Sequence, residues 1–235
     1  MNISVVIAAK NEELMIRDCI SSVKFANEVI VIDDNSTDET SKIAKELKAK
    51  VYSRKLDGFA TQKNYGIDKT SNNWVLILDA DERVSEALAK EIVSLKEVGS
   101  DVVAYDMPFR NYVGSYWLKY GGMYPDRHIR LFNKRQARYG EREIHETLEF
   151  QGNLKHLKND IIHYTYKDYS DYLRKVKKYA AIEAELDSEK PSTLEPARTF
   201  YGKYLKEKGY KDRLHGLKSA ALLSYYPHLK RRLMK

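Results

Sequence analysis

The chain has 235 residues, 43% of them hydrophobic, and a formal charge of +7, enough for one large domain or a domain with an appendage around a substantial core. Its one cysteine, Cys19, excludes an internal disulfide framework and fits a reducing compartment; it falls in a helical pattern and reads as a buried small apolar residue rather than a nucleophile. No apolar run approaches the ~20 residues of a membrane span, and MNISVVIAAKNEE has no basic stretch before its apolar residues, so neither export nor membrane crossing is expected.

Residues 3–8 (ISVVIA) read as a strand, and residues 12–25 as a helix through Leu14, Ile16, Ile20 and Val23. Residues 28–32 (EVIVI) follow as a strand and 37–47 as a helix, with Ser36 or Thr37 capping and Glu39 in the first turn. A short strand at 51–53, a short helix at 60–67, an apolar strand at 75–78 and a helix at 85–96 complete a βαβαβαβα order. That order implies α/β architecture with a mostly parallel central sheet flanked by helices, and a ligand-binding crest along the strand ends.

From 102 to 166 the pattern shortens to VVAYDMPF, HIRLFN and DIIHYTY between Gly114, Gly121-Gly122, Gly140 and Gly152, which reads as a β-rich second half on the same sheet. Beyond Lys167 the chain turns helical. Tyr169, Tyr172, Val176 and Tyr179 repeat at helical spacing, Leu214, Leu217, Ala221 and Tyr225 do so again, and Pro191 and Pro196 punctuate the helices. Residues 164–235 hold 17 Lys and Arg against 9 Asp and Glu, with 10 of the 18 tyrosines, so the basic character belongs to this tail. Its natural partner is an anionic surface, either membrane headgroups or nucleic acid.

The chemistry concentrates where strands end. In WVLILDADERV (residues 74–84) an apolar run stops at Asp79 and Asp81, which alternation aims to one side, with Ala80 leaving room for a divalent cation such as Mg²⁺ or Mn²⁺. The alternative is an acidic turn capping the next helix through Ser85 or Asp81. Strand one ends in Ala8-Ala9-Lys10-Asn11-Glu12 and strand two in Asp33-Asp34-Asn35-Ser36-Thr37-Asp38, so three neighbouring ends carry polar, mostly acidic groups. The phosphate-cradling glycine patterns of dinucleotide and P-loop sites are absent, so a cation held by Asp79 and Asp81 is the candidate for neutralising a diphosphate.

These segments, SVVIAAKNEE, VIVIDDNSTDET, QKNYG (62–66) and LILDADERV, resemble family 2 glycosyltransferases of the GT-A (nucleotide-diphospho-sugar transferase) fold. PDRHIRLFNK, YGEREIHETLEFQG and IIHYTYKDYSDYLRKVKKYA extend the resemblance to the lipopolysaccharide core β-1,4-glucosyltransferase-like subgroup. The resemblance implies a catalytic domain over 1–166, with a nucleotide-sugar half (1–100) and an acceptor half (101–166), and a basic helical C-terminal extension over 167–235. It implies a metal-dependent, inverting transfer of one sugar, from a donor such as a UDP-hexose to a glycolipid or glycan acceptor of the cell envelope.

By the same resemblance Ala8, Asn11, Asp33, Lys63 and Asp79 line the nucleotide-sugar, and Asp79, Asp81 and His163 hold the cation, Mn²⁺ or Mg²⁺; Glu12 and Asp34 at the strand ends, and Arg130 through its guanidinium, are further candidates for the nucleotide-sugar. Structural alternatives stay open: Asn11 or Ser36 as helix caps, Lys63 as a solvated surface charge, His163 as a structural histidine. The family's usual Glu-Asp base pair is missing, which leaves Glu146 in Ile144-His145-Glu146 as the candidate base; its alternative is an ion pair with Arg142. Arg127, His128 and Arg130 are candidates for an anion or for a surface ladder. Tyr116, Trp117 and Tyr120 are candidates for sugar stacking or for an aromatic plug.

The tail, ending His228-Leu-Lys-Arg-Arg-Leu-Met-Lys, suits an anionic membrane surface, with packing on the body or a homo-oligomer as its alternative. A cytoplasmic protein, peripheral at the inner face of the cytoplasmic membrane, follows from that reading. No Gln-x-x-Arg-Trp sequence of a processive synthase occurs. Two rivals remain: a non-catalytic nucleotide-sugar-binding protein, and a nucleic-acid-binding module using the tail, the latter lacking every usual signature, so no nucleic-acid partner is expected.

Overall fold

The structure is a computed structural model and describes residues 1–95, 101–140 and 147–234. In chain order its first elements are β1 (Ile3–Ala9), α1 (Ile16–Ser22), β2 (Glu28–Asp33), α2 (Thr40–Glu46), β3 (Lys50–Ser53), α3 (Phe59–Asp68), β4 (Trp74–Asp79), β5 (Glu82–Val84) and α4 (Glu86–Ser94). Shorter strands follow: β6 (Val102–Val113), β7 (Tyr116–Trp117), β8 (Asp126–Asn133), β9 (Ala137–Tyr139), β10 (Leu148–Phe150), β11 (Asn153–His156) and β12 (Ile161–Tyr166). The chain closes with α5 (Tyr169–Leu186), α6 (Glu195–Tyr201), a π-helical turn (Gly202–Lys206), a 3-10 turn (Gly209–Asp212) and α7 (Arg213–Leu233).

Two compact units result, one of residues 1–108 and 127–162, the other of 109–126 and 163–235. The segment 109–126 thus groups with the C-terminal helices rather than with the strands around it in sequence. In the first unit a mixed sheet runs β3-β2-β1-β4-β8-β6 and on through the opening residues of β12 to β5. β3, β2, β1 and β4 are parallel, and β8 joins β4 antiparallel. The β-branched runs explain the parallel core: Val5, Ile7, Ile30, Val31, Ile32, Val75, Leu76, Ile77 and Leu78 are wholly buried, as strands covered on both faces require. Gly66 of α3 has a packing reason, because a Cβ there would lie 2.4 Å from Val6 Cγ1, so the helix rests directly on the sheet.

Two helix starts differ from expectation: α1 opens at Ile16 rather than at residue 12, and α2 at Thr40 rather than at residue 37. Ser85 caps α4, its hydroxyl accepting the Leu88 N–H at 3.2 Å. Neither Ser36 nor Thr37 caps α2, which begins at Thr40 after Glu39. Asn35 takes a left-handed φ of 50°, and the turn it makes carries Ser36 and Thr37 into bonds with the loop after β1.

In the second unit Val113, Leu118, Tyr172 and Val176 form a buried cluster joined by Tyr116, Tyr166, Tyr169, Leu222, Leu223, Tyr225, Tyr226 and Leu229. Much of the tail's tyrosine is therefore packing surface. Tyr166 stacks on Tyr172 with centroids 3.7 Å apart. The stripe Leu214, Leu217 and Ala221 is the outer face of α7; Gly216, Ser219 and Ala220 are buried instead, a face of small residues on which a Cβ at Gly216 would meet Gly209 O at 1.8 Å. No helix among the described residues is long and apolar enough to cross a membrane.

Candidate functional site

The three acidic strand ends meet because β1 lies between β2 and β4. Ala9 pairs with Asp33 on one side and Ala8 with Asp79 on the other. From β1 the chain steps outward to β2 and β3, then returns to place β4 on the opposite flank, so strand order reverses at this point. In open α/β sheets the crevice beyond such a reversal, at the carboxyl ends, is where ligands bind. With strands about 4.8 Å apart, Asp33 and Asp79 stand roughly 10 Å apart across β1.

On the β2 side the residues lock into one another. Ser36 donates to Asp33 Oδ1 through its hydroxyl and, at 3.2 Å, its N–H. Asn11, in the left-handed region at φ 53°, donates its N–H to Ser36 Oγ at 2.9 Å and accepts the Thr37 N–H at 2.8 Å. The Glu12 N–H donates to Thr40 Oγ1 at 2.7 Å. Asn11 and Ser36 therefore stitch two loops together rather than cap helices. Asp34 binds Lys10 at 2.7 Å and accepts the Leu56 N–H at 2.8 Å. The Lys10 ammonium holds its carboxyl below the usual range, against the upward pull of burial and helped by Leu56.

On the β4 side Asp79 ends the strand and Asp81 lies in the turn beyond it, both partly exposed. Two residues fix this turn from beneath. The Glu82 side chain, wholly buried, accepts the Asp79 N–H at 3.0 Å and Arg130 Nη2 at 2.5 Å; Arg130 also reaches Asp79 Oδ2 at 3.3 Å. Arg83, also buried, donates to the carbonyls of Ala80, Glu82 and Met15 at 2.7–2.8 Å. Cys19 Sγ lies 3.6 Å from the Asp79 carbonyl, and burial pushes its thiol pKa far up. The carboxylates of Glu82 and Asp79 thus share the Arg130 guanidinium, and Asp79 and Asp81 are partly exposed hard oxygen donors. Such donors suit Mg²⁺ or Mn²⁺, which complete their shells with phosphate and water oxygens.

Around this rim, QKNYG has a structural account. Lys63 is 7% exposed, with Nζ 5.4 Å from the Tyr139 ring centroid, so the reading as a solvated charge is excluded. Asn64 bonds the Tyr139 backbone in both directions, at 2.9 and 3.2 Å. From the HIRLF strand Arg130 reaches the acids at the end of β4. Arg127 forks onto Asp106, which His156 also contacts at 2.9 Å; burial raises the Asp106 carboxyl, and these two partners more than offset that, leaving it below the ordinary range.

His163 belongs to the second unit. Its Nδ1 faces Asn111 Oδ1 at 2.9 Å, and Asn111 gives its amide hydrogens to Asp126 and the Met123 carbonyl. An acceptor-only oxygen there requires the proton on Nδ1 and makes Nε2 the basic nitrogen. Tyr116 stacks on His215 at 3.7 Å, and Trp117 meets Tyr124 edge-on beneath Arg110 and Lys119, so both act in packing; Tyr120 is exposed. Glu146, His145 and Arg142 lie outside the described residues. Among the described residues no cluster of three or more His, Cys, Asp or Glu is arranged to hold a metal ion. Glu82 and Arg83 are the site residues that sequence reasoning missed; the signal was a charged pair followed at once by Val84 in a segment otherwise read as a turn.

Residues 4–156 match the model of glycosyl transferase family 2. Over 190 residues, 78% of this chain and 70% of the relative, the sequence is 24% identical to the lipopolysaccharide core biosynthesis glycosyltransferase LpsC of Rhizobium meliloti. Over 91 residues, 38% of this chain and 31% of the relative, it is 47% identical to an uncharacterized glycosyltransferase of Rickettsia typhi. Among solved structures, glucosyl-3-phosphoglycerate synthase from Mycobacterium tuberculosis, in complex with Mn²⁺, UDP and glucosyl-3-phosphoglycerate, aligns at 26% identity over 46% of this chain and 44% of that one, with a TM-score of 0.41. The chain spans under half the length of these last two proteins.

Proposed function

The chain belongs to glycosyl transferase family 2, and from that premise we propose that it moves one sugar from a nucleoside-diphosphate hexose to a hydroxyl of a cell-envelope glycolipid or glycan, lipopolysaccharide core being the favoured class. One observation carries this reading: Asp79 stands at the carboxyl end of β4 beside β1, at the strand-order reversal, with its backbone and carboxylate held by Glu82 and Arg130. A rigid carboxylate at that position is preorganised for a charged ligand.

Asp79 and Asp81 would hold a divalent cation, Mn²⁺ or Mg²⁺, whose contribution is to offset charge on the departing nucleoside diphosphate. Ser36 occupies Asp33 Oδ1, so Oδ2 is the acceptor proposed for a ribose hydroxyl or base N–H. Ala8, Asn11, Glu12 and Asp34 shape the same rim, and Lys63 adds positive charge. Arg130 is assigned to positioning Asp79 as well as to the donor. Glu146 remains the proposed base for an inverting displacement, on its sequence position alone. His163 remains a proposed ligand on its residue type and sequence position.

Calorimetric titration tests the central point. The wild-type protein is expected to bind UDP with Mn²⁺ more tightly than UDP alone, and Asp81→Ala to lose that enhancement. Equal affinities with and without the cation in the wild type would remove the metal from the reading. Release of UDP from a UDP-hexose without any transfer, across a panel of core oligosaccharides, would remove the acceptor class.

A further inference from the structure

Of the terminal basic run that the sequence offers to a membrane, Lys230 and Arg231 are engaged within the second unit. The Lys230 side chain is 12% exposed and binds Glu183 at 3.0 Å as well as Asp187; Arg231 donates to the Pro191 carbonyl at 2.7 Å, and Met234 is buried. Charge and apolar exposure coincide elsewhere, on residues 194–218. Leu194, Arg198, Tyr201 and Leu205 follow helical spacing along α6 and its π-helical continuation, and the three apolar members are 59, 52 and 48% exposed. Leu214 and Leu217 open α7 with a second outward stripe.

The same stretch carries Arg198, Lys206, Lys208, Lys211, Arg213 and Lys218, all exposed. Of its acids Glu207 is exposed but paired, and the other two are withdrawn to different degrees. Glu207 pairs with Lys203 at 2.8 Å, Glu195 is half-buried, and Asp212, 2% exposed, accepts the Tyr116 hydroxyl and the N–H groups of Lys119 and Tyr120 at 2.8–3.1 Å. This elbow is held under strain, with Lys208 at φ 61° and Arg213 at φ 53°, ψ −128°. Non-glycine residues keep such angles only where their surroundings impose them, here through the Asp212 anchor and the Gly209–Gly216 contact.

We infer that the elbow 194–218 is a docking surface for an anionic lipid bilayer, its leucines and Tyr201 entering the headgroup boundary and its cations lying over lipid phosphates. Charge complementarity selects this occupant. A second copy of the chain would set one cationic face against another, and a nucleic acid would leave the leucine stripes without a partner. The inference stands apart from the transferase reading, because vesicle binding is read without nucleotide and nucleotide binding without vesicles.

Cosedimentation of the full chain with vesicles tests it, using phosphatidylcholine alone and phosphatidylcholine with about a third phosphatidylglycerol. The wild type is expected to bind the anionic vesicles only. The triple variant K206Q/K208Q/K211Q should lose roughly a hundredfold in affinity, from about 1 kcal/mol per cation. Leu205→Ser combined with Leu214→Ser, both at exposed positions, should lose about tenfold or more. Equal binding to neutral vesicles, or unchanged binding by the lysine variant, overturns the proposal. So does unchanged binding by the leucine variant, which would reduce the surface to a general polyanion site, or a wild-type dimer that the leucine variant converts to monomer, which would assign the face to self-association.

Discussion

Glu28→Gln separates what stabilises the first unit from what operates at its rim. Glu28 opens β2 at the amino end of the sheet, opposite the acidic strand ends, and its side chain is 6% exposed. Burial by itself would raise its pKa. The Lys50 ammonium at 2.6 Å, the Ser71 N–H at 2.9 Å and the Ser4 hydroxyl at 2.7 Å more than reverse this and bring it down to about 2, from an ordinary 4.5. That interval corresponds to about 3 kcal/mol, and because Lys50 is exposed to solvent the expected loss on substitution is nearer ~2 kcal/mol, or roughly 4–8 °C in Tm. The sign follows from the lowered value: the stabilisation is fully present above the unfolded pKa and disappears as pH falls from about 4.5 through about 2. Thermal or urea unfolding of wild type and variant at pH 7, 4 and 2.5 reads this directly. Nucleotide affinity of the folded variant at pH 7 should match wild type, since Glu28 sits at the other end of the strands. A stability gap that stays constant between pH 7 and 2.5 would refute the assignment of the Glu28 carboxylate.

At the rim, Arg130→Met removes a positive charge beside the proposed cation donors, so Mn²⁺ alone should bind more tightly by calorimetry. Folding stability should fall by about 3 kcal/mol, because Glu82 then keeps a buried charge without its guanidinium partner. Gly66→Ala drives a methyl to 2.4 Å from Val6 and is expected to cost about 1–3 kcal/mol in urea unfolding, with the β1 and β2 strands displaced. Cys19, wholly buried with its thiol pKa raised, should resist a thiol reagent at pH 8 in the native protein and react at once in denaturant.

The parallel half of the fold was legible because its signals are local and strong. Uninterrupted β-branched runs such as ISVVIA and EVIVI leave a strand buried on both faces as the economical solution, and the helices between them fix the crossover order. The second unit was harder to read for a physical reason. A helical repeat such as Leu214, Leu217, Ala221 and Tyr225 shows that an apolar face exists, yet not which side of the helix turns inward. In α7 the decision falls to Gly216, Ser219 and Ala220, whose small side chains admit a close backbone approach that hydrophobic periodicity does not register. The grouping of residues 109–126 with the helices likewise rests on long-range bonds, such as those to Asp212 from the loop after β7.

For the site, residue type announced the acids but not their division of labour. Asp79, Asp81, Glu82 and Arg83 are equally polar on paper, and four charged positions within five residues at a strand end do not show which of them turn inward. The turn after β4 buries Glu82 and Arg83 and leaves Asp79 and Asp81 partly exposed. Burying a carboxylate is unfavourable unless countercharge and donors arrive with it, and here the Asp79 N–H and Arg130, 48 residues further on, supply both. The local motif therefore depends on a partner delivered by the antiparallel strand β8, which pairs directly with β4. That dependence explains why LILDADERV alone leaves metal ligation and helix capping open, whereas the segment together with Arg130 describes a carboxylate fixed in place, its charge partly balanced, at the crevice where strand order reverses.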